Sequence, residues 1–161
     1  FWKYVFYDNL IFMSSLKQTG WISDSYKYDV PEFILNGNWK TNIVTYALID
    51  EIPKLPGFYI YTAQIKSGSG ILSAMKTIMY VGIAGVNGSL QQRYKSHFRK
   101  PKFKRCMETY LNKFEYSYIL ASEDEYDNLR SYEQFIINIF GTPLNDINSK
   151  ASEVIKGTIL T

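Results

Sequence analysis

The sequence holds one cysteine in 161 residues, one histidine and five prolines. The lone cysteine, Cys106, excludes an internal disulfide and any zinc site built from several thiolates. It also suits a reducing compartment, so a cytoplasmic, intracellular location is expected. The lone histidine, His97, excludes a histidine-rich metal centre. No apolar run reaches the ~20 residues of a membrane-spanning helix and none reads as a signal peptide, so no membrane partner is expected. There are no internal repeats. Acidic residues are scarce in one place: between Arg93 and Lys113, Glu108 is the sole carboxylate.

What the chain has in quantity is apolar and aromatic. Hydrophobic residues make up 46%, which excludes disorder as the default state. The length fits one domain with a sizeable core. The 14 Tyr, 10 Phe and 3 Trp suit a core and its rim. Stacking on bases is their alternative use.

The net charge is only +3, but it is unevenly spread. Arg93, Lys95, Arg99, Lys100, Lys102, Lys104, Arg105 and Lys113 are 8 of the 18 basic residues. The rest of the chain carries 10 basic and 14 acidic residues, a net of −4. A basic stripe on a mildly acidic body is a footprint for polyanions, with a solvated face as the plainer alternative.

Along the chain, residues 1–48 read as an N-terminal extension packed on the core, and residues 49–161 as the main domain. In the extension, Trp2, Tyr4 and Phe6 suggest a strand or helix start, and Tyr26, Tyr28 and Val30 alternate before Pro31. Pro53 to Gly57 is loop punctuation. Residues 58–62 and 78–81 read as strands joined by a long loop with a Gly/Ser turn at 66–70. Ser89 is a plausible N-cap for a helix over 90–98, which Pro101 stops. A second helix is expected over 103–112 and a third strand over 114–120. Ser122 and Glu125 form a capping box that opens a helix to Phe140, ended by Gly141. The expected class is α/β of the layered α+β kind: a small three-stranded antiparallel sheet flanked by helices.

Several residues carry chemistry. Arg93 and His97, four apart on one helix, share a face. An arginine offers a phosphate a planar fork of donors and cannot deprotonate. An imidazole can transfer a proton near neutral pH or contact a phosphate, though a lone histidine is more often structural. Glu133 has Leu129, Ile136, Ile137 and Phe140 at offsets of −4, +3, +4 and +7, so it lies on the apolar stripe of its helix. A carboxylate there is costly to bury unless it is paired, protonated or bound to a metal. Arg93 and a divalent cation are the two candidate partners. Tyr59 and Tyr80 fall on neighbouring strands; a phenol of pKa ~10 accepts a proton only beside a cation. Gly57 and Gly82 permit tight backbone paths or a close substrate approach. Asn145, in an irregular segment after Pro143-Leu144, is placed to bind backbone groups.

Taken together, Gly57-Phe58-Tyr59, Tyr80-Val81-Gly82, Arg93, His97, Glu133 and Asn145 resemble the pattern of the GIY-YIG nucleases, over roughly residues 53–146. The long loop between the motifs, and the lack of a recognisable separate DNA-binding domain, look like a restriction-endonuclease-like or phage-related member. The resemblance implies an endonuclease dependent on Mg²⁺ or Mn²⁺ that hydrolyses double-stranded DNA to 5′-phosphate and 3′-hydroxyl ends. In family terms Glu133 would bind the metal and Arg93 would stabilise the pentavalent phosphate. Tyr59 or Tyr80 would help activate water, and His97 would assist proton transfer. The stripe residues Lys95, Arg99, Lys100, Lys102, Lys104 and Arg105 would bind the nucleic acid. Cutting both strands calls for a homodimer or two encounters. One departure is that Ile83-Ala84-Gly85 stands where many members have a lysine, which leaves the general base open. A catalytically weak nucleic-acid-binding module of the same fold is the alternative, and a structural domain with a buried Glu133–Arg93 pair is the third reading.

Overall fold

The strand Gly57–Gln64 (β2) has no polar face: seven of its eight residues are buried, so it must be covered on both sides. In this computed structural model, which describes residues 31–64 and 76–145, β2 is the inner strand of an antiparallel sheet. Lys76–Ala84 (β3) pairs with one edge of it and Phe114–Leu120 (β4) with the other. Lys40–Ile43 (β1) pairs with the far edge of β4. The strand order is β1-β4-β2-β3.

The described sheet therefore has four strands, where three were expected. β1 escapes sequence reading because three of its four residues are exposed and only Ile43 is apolar. Its place is set by pairing with β4, including a Thr41–Ser117 hydroxyl contact of 2.8 Å. Thus, within the segment read as an extension, Lys40–Ile43 joins the sheet, and Val44 and Leu48 enter the core. Trp2 to Phe6, the alternation at Tyr26 to Val30 and the turn at 66–70 lie outside the described residues.

Four α-helices are described: Glu32–Asn36 (α1), Leu90–His97 (α2), Pro101–Tyr110 (α3) and Leu129–Phe140 (α4). They divide between the two faces as strand alternation requires. Tyr59, Tyr61, Phe114, Tyr116 and Tyr118 face Leu90 and Tyr94 of α2 and Phe103 and Cys106 of α3. Phe58, Ile60, Val81 and Ile119 face Ile34 of α1 and Leu129 and Ile136 of α4. The fold is α+β, an open antiparallel sheet between helices.

Local signals explain most boundaries. Ser89 caps α2 by accepting from the Gln92 amide at 3.2 Å. Pro101 does more than end α2: it stands in the first turn of α3, where its missing N–H has no partner to lose. That helix accordingly starts two residues earlier than the expected 103. Gly141 ends α4 in the left-handed region at φ 56°. The expected capping box at Ser122 does not open a helix. Glu123–Glu125 forms a 3-10 turn and α4 starts at Leu129. The Glu125 carboxylate accepts from the Tyr132 hydroxyl at 2.7 Å, and no side-chain cap forms at Ser122.

Candidate active site

Pairing register brings the two motif tyrosines onto one face. Tyr59 lies opposite Gly82 and Tyr61 opposite Tyr80, so all four positions look toward α2 and α3. The Tyr59 and Tyr80 rings stack at 6.1 Å, with the phenols within hydrogen-bonding reach of each other. Gly82 is required by this arrangement. A Cβ there would stand 2.5 Å from the Tyr59 Oη and 2.6 Å from its Cζ, so the phenol lies across the bare backbone. Gly57 has a packing reason instead: a Cβ would run into the Ile119 carbonyl and come within 2.8 Å of Leu90.

His97 is delivered to the same place by α2. Its Nε2 is 2.9 Å from the Tyr59 Oη, and its ring packs against Phe103 at 4.2 Å and Tyr80 at 4.9 Å. Only 2% of the residue is exposed. Burial first, then the nearby charges of Lys100, Arg93 and Lys102, push its pKa down to about 3. Burial and these charges thus favour the neutral imidazole at His97. Tyr59 is affected in the opposite sense. Burial, and then the neighbouring phenols of Tyr80 and Tyr116, push it well above its ordinary value, and the Arg93 charge only partly offsets this.

Arg93 is exposed on α2 and borders an open pocket of about 540 Å³, together with Gln92, Ser96 and the loop at 85–88. Gln92 and Ser96 flank Arg93 on the helix but were not singled out from sequence; only their spacing marks them. Glu133 comes from α4, on the opposite face of the sheet. It is half-buried rather than fully buried. Burial raises its pKa, against the lowering effect of Arg130 and Arg93. No ion pair joins Glu133 to Arg93 among the described residues. Yet the Arg93 charge acts on both the Tyr59 phenol and the Glu133 carboxylate.

No group of three or more His, Cys, Asp or Glu side chains gathers among the described residues. A metal here would have one protein carboxylate, that of Glu133. A half-buried carboxylate without an ion pair fits a hard cation such as Mg²⁺ or Mn²⁺, which completes its shell with water and phosphate oxygens.

Asn145 works on the backbone. Its Oδ1 accepts from the Val81 N–H at 2.9 Å and its Nδ2 donates to the Val81 carbonyl at 2.8 Å. The Leu144 N–H donates to the Met79 carbonyl at 2.7 Å. Residues 144–145 thus pair with the outward edge of β3, beside Tyr80 and Gly82. Of the basic residues, Lys95, Arg99, Lys100, Lys104 and Arg105 are exposed. Lys102 is half-buried, and its ammonium donates to the Leu144 carbonyl, tying α3 to the segment that holds β3. No family model, curated protein or solved structure matches this chain.

Proposed function

We propose that the chain is a GIY-YIG-like, metal-dependent DNA endonuclease that leaves 5′-phosphate and 3′-hydroxyl ends. The observation that carries this reading is the convergence around one guanidinium. Helices on opposite faces of the sheet bring Arg93 and Glu133 within electrostatic reach of each other, and Arg93 also acts on Tyr59. Among the described residues no ion pair joins Arg93 to Glu133, which leaves the guanidinium available to a phosphate and the carboxylate available to a cation.

Arg93 would grip the non-bridging phosphate oxygens and stabilise the charge that builds during displacement. Tyr59 and Tyr80 would orient the attacking water. His97, neutral and hydrogen-bonded to the Tyr59 Oη, fixes that phenol's direction. Glu133 would hold a Mg²⁺ or Mn²⁺ ion. When bound, the ion would supply charge stabilisation at the phosphate and at the leaving oxygen. Lys100, Arg93 and Lys102 surround the site with positive charge, which draws a polyanion toward it.

The high pKa of Tyr59 supports a second reading, a nucleic-acid-binding module with weak catalysis. One assay separates the two. Supercoiled plasmid is incubated with Mg²⁺ or Mn²⁺ and wild type, Glu133→Ala or Arg93→Ala. Nicking by wild type is expected, with losses of about 10²-fold or more in either variant. Equal nicking by all three would defeat the endonuclease reading. Salt-sensitive binding without cleavage would favour the binding module.

A further inference from the structure

Tyr46 is the one aromatic residue among those described that is largely exposed, at 74%. Its backbone is nonetheless held firmly. The Thr45 N–H donates to the Tyr94 Oη at 3.1 Å, and the Tyr94 hydroxyl donates back to the Thr45 carbonyl at 2.8 Å. Thr45 Oγ1 also accepts from the Leu48 N–H at 3.3 Å. Val44 and Leu48 on either side are buried in the core. Tyr46 is therefore a large apolar ring in solvent on a fixed mount. Its one described ring contact is edge-to-face with Phe98, at 5.7 Å and 86°.

The surroundings are cationic. Phe98 is the C-cap of α2; the exposed Lys95 lies in the helix's last turn, and the exposed Arg99 and Lys100 follow it. None of the three makes an ion pair among the described residues. At 100° per residue, the solvent face of α2 runs from Arg93 through Ser96 to Lys95, and the turn that continues the helix carries Arg99 and Phe98. The acids of the neighbouring segment, Asp50 and Glu51, sit at the other end of α2, where Gln91 Nε2 donates to the Ile49 carbonyl at 2.9 Å. An anionic strand gripped at Arg93 can thus pass round α2 over two cations and reach Tyr46 after about 20 Å, somewhat more than half the circumference of a helix.

We propose that Tyr46 is a stacking platform for an unpaired nucleobase, with Lys95 and Arg99 taking the phosphates that lead to it. This deepens, and rests on, the reading that the substrate is a nucleic acid. It makes the preferred substrate a duplex with a single-stranded tail or branch. An aromatic face beside cations is the usual composition of a surface that holds unpaired strands, because every base offers a π-face. A blunt duplex keeps its bases stacked internally and gives Tyr46 nothing to cover.

Fluorescence anisotropy tests this on the full chain in EDTA, so that cleavage plays no part. The probes are a labelled blunt duplex and the same duplex carrying a short single-stranded tail at its 5′ or 3′ end. Wild type should bind one of the tailed probes about tenfold more tightly than the blunt one. Tyr46→Ala should erase that gain and leave blunt-duplex affinity unchanged, while Tyr46→Phe should keep it. The double variant Lys95→Ala/Arg99→Ala should weaken both classes of probe and flatten the salt dependence. The proposal is overturned if wild type does not distinguish tailed from blunt DNA, or if Tyr46→Ala retains the gain, the outcome expected of a residue that serves a protein partner. Equal loss on all probes in Tyr46→Ala also overturns it. In each of these cases blunt-duplex binding by wild type leaves the nucleic-acid reading standing. Absence of binding to every probe removes both.

Discussion

Glu133 shows how one residue can be costly and useful at once. It shares α4 with the buried Leu129 and Ile136, and burial raises its pKa. A carboxyl pKa raised in the folded state contributes stability that is present below the unfolded pKa and is lost as pH rises through the folded one. Near neutral pH, therefore, the ionised carboxylate weakens the metal-free fold. Glu133→Gln keeps the shape and removes the charge. In EDTA at pH 7.5 it should melt at or above wild type, by about 0.5 kcal/mol or roughly 1–2 °C. Mg²⁺ should raise the melting temperature of wild type and leave Glu133→Gln unmoved. A lower melting temperature for the variant would mean that the carboxylate has a structural partner. The stripe that revealed this residue is a sequence property. Its half-burial, and the missing ion pair with Arg93, are not.

Among the elements, β3 carries the most unusual support. As one of the two outer strands of the described sheet it presents a row of backbone groups to the edge, and residues 144–145 cover part of that row. The Asn145 amide imitates a peptide unit and satisfies both backbone groups of Val81. Asn145→Ala should cost about 1–3 kcal/mol. It should also speed hydrogen exchange at the Val81 amide and lower any cleavage activity about tenfold, because Tyr80 and Gly82 flank the released residue. Unchanged exchange at Val81 would show that the edge is held by other means. Elements with strong local signals were legible: β4 spans the expected 114–120 and α2 follows its cap at Ser89. Elements fixed from outside were not. β1 depends on β4, and the acids after Ser122 form a turn because Glu125 bonds to Tyr132 rather than closing a cap.

At the scale of the whole molecule, the histidine links the site to stability. His97 keeps a pKa near 3 in the fold, against the ordinary 6.5. Between those values the unfolded chain holds the extra proton, so stability must fall as pH falls from about 6.5 toward 3. The slope from this one group approaches about 1.4 kcal/mol per pH unit. Replacing His97 by Phe, an aromatic of similar size, should flatten the melting-temperature profile between pH 6.5 and 4 relative to wild type. Parallel profiles would place His97 in contact with water. Any cleavage should also lack an acid limb set by a histidine near 6.5, because the imidazole is neutral throughout that range.

By itself the sequence determined the parts that depend on neighbours along the chain: the cap at Ser89, the stop at Gly141, the apolar stripe that contains Glu133 and the cationic run around α2 and α3. These follow from backbone geometry and periodicity over a few residues. Tertiary structure alone decided which distant groups meet. Cross-strand register laid Tyr59 over Gly82, and packing of α2 against that face set His97 on the Tyr59 hydroxyl and removed its charge. The same packing left Tyr46 in solvent on a fixed backbone. Desolvation, register and exposure arise when separate elements close on one another, and no local pattern of residues carries them.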